Sequence, residues 1–323
     1  MASRRDVIID WAEQGRIAPD ALPHALAVAG VTPDGPAWRR FIAALLLSLG
    51  ALLLAAGVIF FFAYNWQALG RFQKFALVQG LFAAAAFGAW FYGPAKMAGQ
   101  AALLLATLLT GAIFALVGQT YQTGADPWQL FALWALLIVP WVAVSRMPVL
   151  WLMFAALVNL ALALYFQTFH GIFGMVFSSE VLIWMLFALN GVALVVWEAC
   201  AKRGAPWMQT RWPARTLAAA VGTAITSLAV VTMLDRLGFD LLRLVVYAAW
   251  LGAMYAYYRR TSVDLFMLAG GVLSAIVVVA TALGRLMIHV GDEGGFLLVG
   301  LVVVGLSAAG ALWLRRIAAE RGE

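Results

Sequence analysis

Phe41 to Ala63 reads FIAALLLSLGALLLAAGVIFFFA, 23 residues with no charge and a single hydroxyl. At 1.5 Å per residue a helix of this length reaches about 35 Å, enough to cross a hydrocarbon core of about 30 Å. Similar apolar runs recur almost to the C-terminus, at roughly 72–92, 98–119, 127–145, 148–168, 179–199, 214–234, 240–258, 263–284 and 294–314. Composition agrees: 65% of the 323 residues are hydrophobic, 11% are charged, and the mean hydropathy is +0.94. Soluble domains are only about half apolar. A spanning barrel would need alternating strands of about ten residues, and no such alternation is present. The expected fold is therefore all-α: a polytopic transmembrane helical bundle of about ten spans, preceded by a short N-terminal cytoplasmic helical hairpin. The expected division is residues 1–37 for the hairpin and 38–323 for the transmembrane domain.

Charge sets the expected orientation. With the N-terminus in the cytoplasm, 16 of the 21 Lys and Arg residues fall on the cytoplasmic side. The five on the other side are Arg71, Lys74, Arg236, Arg243 and Arg285. This is the positive-inside bias, and an even number of spans puts both termini inside. The net charge of +6 is explained by topology, so no nucleic-acid partner is expected. The polar first 40 residues do not read as a cleaved signal peptide. In the hairpin, Asp6 to Gln14 forms one helix with Val7, Ile8 and Trp11 on a face, ended by Gly15. Pro19 is expected in the first turn of the second, which carries Leu22, Ala25 and Leu26.

No charge falls near a span centre, which argues against a proton pump, a charged-ring channel or a voltage sensor. Glu198 and Lys202 read as an i,i+4 surface pair. Asp126, Glu180, Asp240 and Asp264 stand at span starts, where a carboxylate caps free N–H groups. Arg71, Lys74, Arg243 and Arg285 are within snorkelling reach of an interface. Deeper lie Gln79, Asn159 and Asn190, read as interhelical hydrogen bonders or as a polar lining. Small residues at fourfold spacing, Ala218, Gly222 and Thr226 in one span and Gly270 and Ser274 in another, read as packing ridges.

Three loops on the non-cytoplasmic side carry amides and aromatic rings without Lys or Arg. They are Tyr64-Asn65-Trp66-Gln67, then Gly118-Gln119-Thr120-Tyr121-Gln122-Thr123-Gly124-Ala125-Asp126-Pro127-Trp128, then Gln167 through His170 to Glu180. Tyr and Trp at this depth anchor a protein to the membrane interface. The alternative is a shallow site for a neutral or headgroup-like molecule, since amides bond hydroxyls and rings stack on apolar faces. Its candidate ligand-binding residues are Asn65, Trp66, Gln119, Tyr121, Gln122, Asp126 and Trp128. Enzyme motifs are absent, no catalytic residue is assigned, and neither metal nor cofactor is expected. Cys200 alone forms no internal disulfide and no thiolate cluster.

Trp11 to Asp20 (WAEQGRIAPD), Gly57 to Trp66 (GVIFFFAYNW) and Gly118 to Leu130 (GQTYQTGADPWQL), with Trp134 and Pro140-Trp141, resemble the bacterial membrane family catalogued as domain of unknown function 2157. The resemblance covers roughly residues 5–145 and implies a bacterial inner-membrane protein. It carries no catalytic residues with it. Three roles stand beside one another: binding or transport of a small molecule at the outer mouth, recruitment of a protein partner by residues 1–37, and chemistry on lipid-linked substrates through His170 or Glu180. The lipid bilayer is a partner in all three. Reporter fusions at Gly124 and Gly204 are expected on opposite sides of the membrane, with Gly204 inside. The same side for both would overturn the topology.

Overall fold

The computed structural model describes residues 4–32, 35–65, 67–121, 124–169, 178–234, 240–290 and 295–320, the side chains of Arg4, Asp6, Arg40, Ile288, His289 and Val290 excepted. Among these, twelve α-helices follow one another: α1 (Arg4–Glu13), α2 (Leu22–Val28), α3 (Gly35–Tyr64), α4 (Arg71–Tyr92), α5 (Met97–Tyr121), α6 (Pro127–Ser145), α7 (Pro148–Phe169), α8 (Ser179–Lys202), α9 (Arg211–Leu234), α10 (Leu241–Arg260), α11 (Leu265–Val290) and α12 (Gly295–Ala319). The ten from α3 onward are long and apolar enough to cross a membrane. They coincide with the expected runs, although α3 starts earlier, at Gly35. In the hairpin, Gly15 ends α1 at φ 69°, as expected. Pro23, and not Pro19, takes the first turn of α2.

The spans gather into two compact units. The first comprises 33–178 with 205–209 and holds α3 to α7. The second comprises 1–32, 179–204 and 210–323 and holds α1, α2 and α8 to α12. Each has one central helix. In the first it is α5, which contributes Leu104 to a cluster with Ala51, Ile138 and Leu150, and Leu109 and Leu116 to a second with Val58, Phe62 and Val78. In the second it is α9, whose Ile225, Leu228 and Ala229 are fully buried against Tyr247. Exposed faces are as apolar as buried ones: Leu297, Leu301 and Val304 of α12 are 80%, 71% and 66% exposed. In hydrocarbon such faces are solvated, and the buried stripes hold through close packing, not through escape from water.

Two motif tryptophans in α6 acquire a structural task. Trp134 Nε1 donates to the Thr107 carbonyl at 2.8 Å, and Trp141 Nε1 donates to Thr107 Oγ1 at 3.0 Å. The Thr107 hydroxyl in turn donates to Leu103 in its own helix at 2.7 Å. Gly111, one turn along α5, makes room for the Trp134 ring: a Cβ there would lie 2.5 Å from it. Asn159 and Asn190 donate to the carbonyls of Ala155 and Leu186, four residues back in their own helices. Gln79 is exposed, so interhelical bonding through Gln79 is not what the structure displays. The ridges of α9 and α11 do meet, through a 2.6 Å hydrogen bond between Thr226 and Ser274.

Gly111→Ala should therefore destabilise the first bundle by about 1–3 kcal/mol, the cost of overpacking, despite alanine's better helix propensity. Gly80→Ala, where an added Cβ meets nothing within 4 Å, is the control and should be neutral or stabilising. Thermal unfolding in detergent reads both.

Candidate functional site

The described candidate residues, Asn65, Gln119, Tyr121, Asp126 and Trp128, lie at helix ends of the first bundle. Phe62 of α3, Leu116 of α5, and Leu69 and Phe75 beside them pack in one cluster, so the ends of α3 and α5 and the start of α4 are gathered there. Tyr121, 57% exposed, lies 5.9 Å from the Phe75 ring. Trp128 stands edge-on to Tyr165 of α7 at 5.0 Å, and Tyr165 meets Phe169 at 4.8 Å. Gln119 is exposed. Asn65 Nδ2 donates to the Phe61 carbonyl at 3.0 Å and closes the last turn of α3. Trp66 and Gln122 lie outside the described residues. Among the described residues, no hydrogen bond, ion pair or ring contact joins Asn65 to Gln119, Tyr121, Asp126 or Trp128.

Asp126 departs from its expected role. It occupies the N-cap position of α6 with extended backbone, yet its side chain accepts no capping bond. Pro127 in the first turn removes one N–H, and the Asp126 carbonyl takes the Gln129 N–H at 3.0 Å. Asp240 and Asp264 do cap: Asp240 accepts from Leu242 and Arg243 N–H, and Asp264 accepts from Phe266 N–H at 3.0 Å. At the end of α5 and the start of α6, Thr120 Oγ1 and Trp128 Nε1 are buried with no hydrogen-bond partner among the described residues. Leaving such a group unpaired costs about 1–3 kcal/mol.

The third loop reads differently in three dimensions. Glu180 pairs with Arg243 of α10 at 2.7 Å, so this carboxylate is not part of a face free of basic residues. Arg243 is 8% exposed and also lies 2.9 Å from Asp240, and it is held inward between two acids instead of snorkelling out. His170 lies outside the described residues, as does the side chain of His289.

The opposite end of the second bundle holds a network that local sequence rules misassign. Glu198 does not pair with Lys202. It accepts from Arg211 Nη1 at 3.0 Å, from Tyr258 at 3.0 Å and from Tyr257 at 3.1 Å. Lys202 instead rests over the Tyr257 ring at 4.3 Å. Arg211 Nε continues to Asp264 Oδ2 at 3.1 Å, where Arg215 Nε also donates at 3.1 Å. The reason is burial: Glu198 and Asp264 are 7% and 4% exposed, and a desolvated carboxylate requires a guanidinium and hydroxyls to replace water. One signal was available in the sequence. Arg211 and Arg215 are like charges at i,i+4, an arrangement that repels unless an acid sits between them.

Ten apolar helices, with charge confined to their ends, define a polytopic α-helical membrane protein. Residues 9–151 match the family model described as a predicted membrane protein, DUF2157, and all three motif stretches fall inside that match. Neither a search of curated proteins nor a search of solved structures returned a match.

Burial alone would raise the Asp264 carboxyl, but the hydrogen bonds and charges of Arg215 and Arg211 outweigh it and hold the group below the usual carboxylate range. A depressed folded-state pKa contributes stability that is fully present above the unfolded value, about 3.9, and is lost as pH falls through the folded one. Asp264→Asn should cost about 3 kcal/mol at neutral pH, the low end for breaking a buried pair, because the guanidiniums keep some solvent. The gap in melting temperature between wild type and variant should close as pH drops below about 4.

Proposed function

We propose that this is a bacterial inner-membrane protein with both termini in the cytoplasm. In this reading it binds, or passes across, a neutral or headgroup-like small molecule at the non-cytoplasmic mouth of α3 to α6. Its ligand-binding residues are Asn65, Trp66, Gln119, Tyr121, Gln122, Asp126 and Trp128. No covalent chemistry is needed: amides and ring faces suit recognition of hydroxyls and apolar ring surfaces.

The observation that supports this reading is the pair of buried atoms Thr120 Oγ1 and Trp128 Nε1, without a partner among the described residues, beside exposed Gln119 and Tyr121. Most buried polar groups are paired, so an orphaned one calls for a partner, which a ligand or an ordered water can supply. Asp126 adds to the same segment a carboxylate that makes no capping bond.

A second reading draws on the hairpin, taken as a cytoplasmic unit of residues 1–37. Trp11 and Val28 there are 45% and 75% exposed, which suits a protein partner. The two readings predict opposite mutational patterns.

Thr120→Val deletes one orphaned group while keeping shape and should leave the melting temperature unchanged or raise it, since replacing an unpaired polar group by an apolar one of the same shape is neutral to stabilising. Trp128→Phe deletes the other together with part of the ring packed on Tyr165 and should lower the melting temperature modestly. Each should nonetheless fail to complement the phenotype of a gene deletion. Full complementation by both, with loss only on removal of residues 1–37, would transfer the function to the hairpin.

A further inference from the structure

A cavity of about 640 Å³ opens between α9 and α11 in the second bundle. Gly222 and Thr226 line one wall, Gly270 and Ser274 the other, and Trp250 of α10 forms the floor. The volume lies within the range of about 300–1,000 Å³ typical of ligand sites. The small-residue ridges thus bring α9 and α11 together at the Thr226–Ser274 hydrogen bond while leaving a trough beside it. Three hydroxyls of the trough are satisfied internally, because Thr226 bonds Ser274, Ser274 also meets Tyr247 OH at 3.0 Å, and Ser227 donates to the Thr223 carbonyl. What faces the space is therefore almost wholly apolar.

Shape and position define the occupant. Along α9 the lining runs from Ala218 to Val231, about 20 Å of helix at 1.5 Å per residue. One leaflet contributes about 15 Å of hydrocarbon, so the trough matches a single extended chain of that leaflet. Its rim is apolar and open, with Leu273 63% exposed and Val277 40% exposed, so entry is sideways from lipid and not from water. A cation stands at the end of the trough where α9 begins. Phe266 lines the trough there, and the Arg215 guanidinium lies over its ring at 5.5 Å, one helical turn before Ala218. Arg215 commits only Nε, to Asp264, and its two η-nitrogens make no hydrogen bond among the described residues. The side chain is 41% exposed.

We propose that this trough holds one acyl chain of a bilayer phospholipid whose phosphate is bound by Arg215. Asp264 takes only Nε of Arg215 and also holds Arg211, so an anion on the η-nitrogen edge of Arg215 finds donors without displacing Asp264. The paired η-nitrogens suit two phosphate oxygens at once, a geometry that a neutral headgroup does not exploit.

The test is native mass spectrometry of the full chain in nonionic detergent, titrated with dioleoyl phosphatidylglycerol or with diolein, which has the same chains and no phosphate. Wild type should retain one phosphatidylglycerol and markedly less diolein. Gly270→Leu fills the trough from a position where an added Cβ meets nothing within 4 Å, and leucine favours helix, so the fold should survive. It should lower phosphatidylglycerol retention by about tenfold, as should Thr223→Leu on the facing wall, the loss expected when complementarity in an apolar pocket is destroyed. Arg215→Gln should reduce phosphatidylglycerol to the diolein level. Undiminished binding by both filling variants would overturn the acyl site. Equal retention of diolein and phosphatidylglycerol by wild type would overturn the phosphate contact. Dimers that Gly270→Leu dissolves would assign the trough to a second copy of the chain.

Discussion

In hydrocarbon a backbone N–H or C=O without a partner costs several kcal/mol, and that constraint shapes this chain throughout. Ten spans are helical because a helix closes its own hydrogen bonds. The same rule governs the polar side chains within them. Thr107, Thr110, Asn159, Thr168, Asn190 and Thr232 all turn back onto carbonyls four residues earlier. A polar group can be carried into the membrane at little cost if its own helix supplies the partner. Thr107 does more, since after satisfying itself it still accepts from Trp141. A self-contained helix is thereby linked to its neighbour.

Charge obeys a related rule at the helix ends. In the second bundle, Glu198, Arg211, Arg215 and Asp264 lie at one end, while Glu180, Asp240 and Arg243 lie at the other. Arg211 is the key cation, because it bridges carboxylates from α8 and from the turn before α11 while sitting at the start of α9. Three chain segments are tied at one point. Arg259 and Glu320 extend the ties to α12. These terminal clusters add to the mid-span ties, in which the Ser274 hydroxyl meets both Thr226 and Tyr247.

The spans were legible in the sequence because apolar length is a one-dimensional property. The Asp240 cap was legible for the same reason, since donor and acceptor are two and three residues apart. The Glu198 network was not. Its partners lie 13, 59 and 60 residues away, and the i,i+4 rule offered Lys202 in their place. Burial decided between them, and burial is not written locally. The Gly118–Trp128 loop was recognisable as unusual from composition alone. Which of its groups are left without partners depends on α6 and α7 packing over Trp128, and that needed the fold. Similarly, Trp134 and Trp141 stood out as family markers, but their convergence on Thr107 is a property of the α5–α6 interface.

The turn between α6 and α7 is only Arg146 and Met147, with Arg146 in the left-handed region at φ 52° and the Met147 N–H held by Ser145 Oγ at 3.3 Å. A link this short behaves as a gear and not as a tether. It transmits rotation from one helix to the next, so the stripe Leu150, Leu157 and Ala161 faces inward because α6 is seated where it is. Inserting one residue would swing α7 by about 100° about its axis and turn that stripe outward. α6 and α7 must therefore be inherited, and inserted into the bilayer, as one piece.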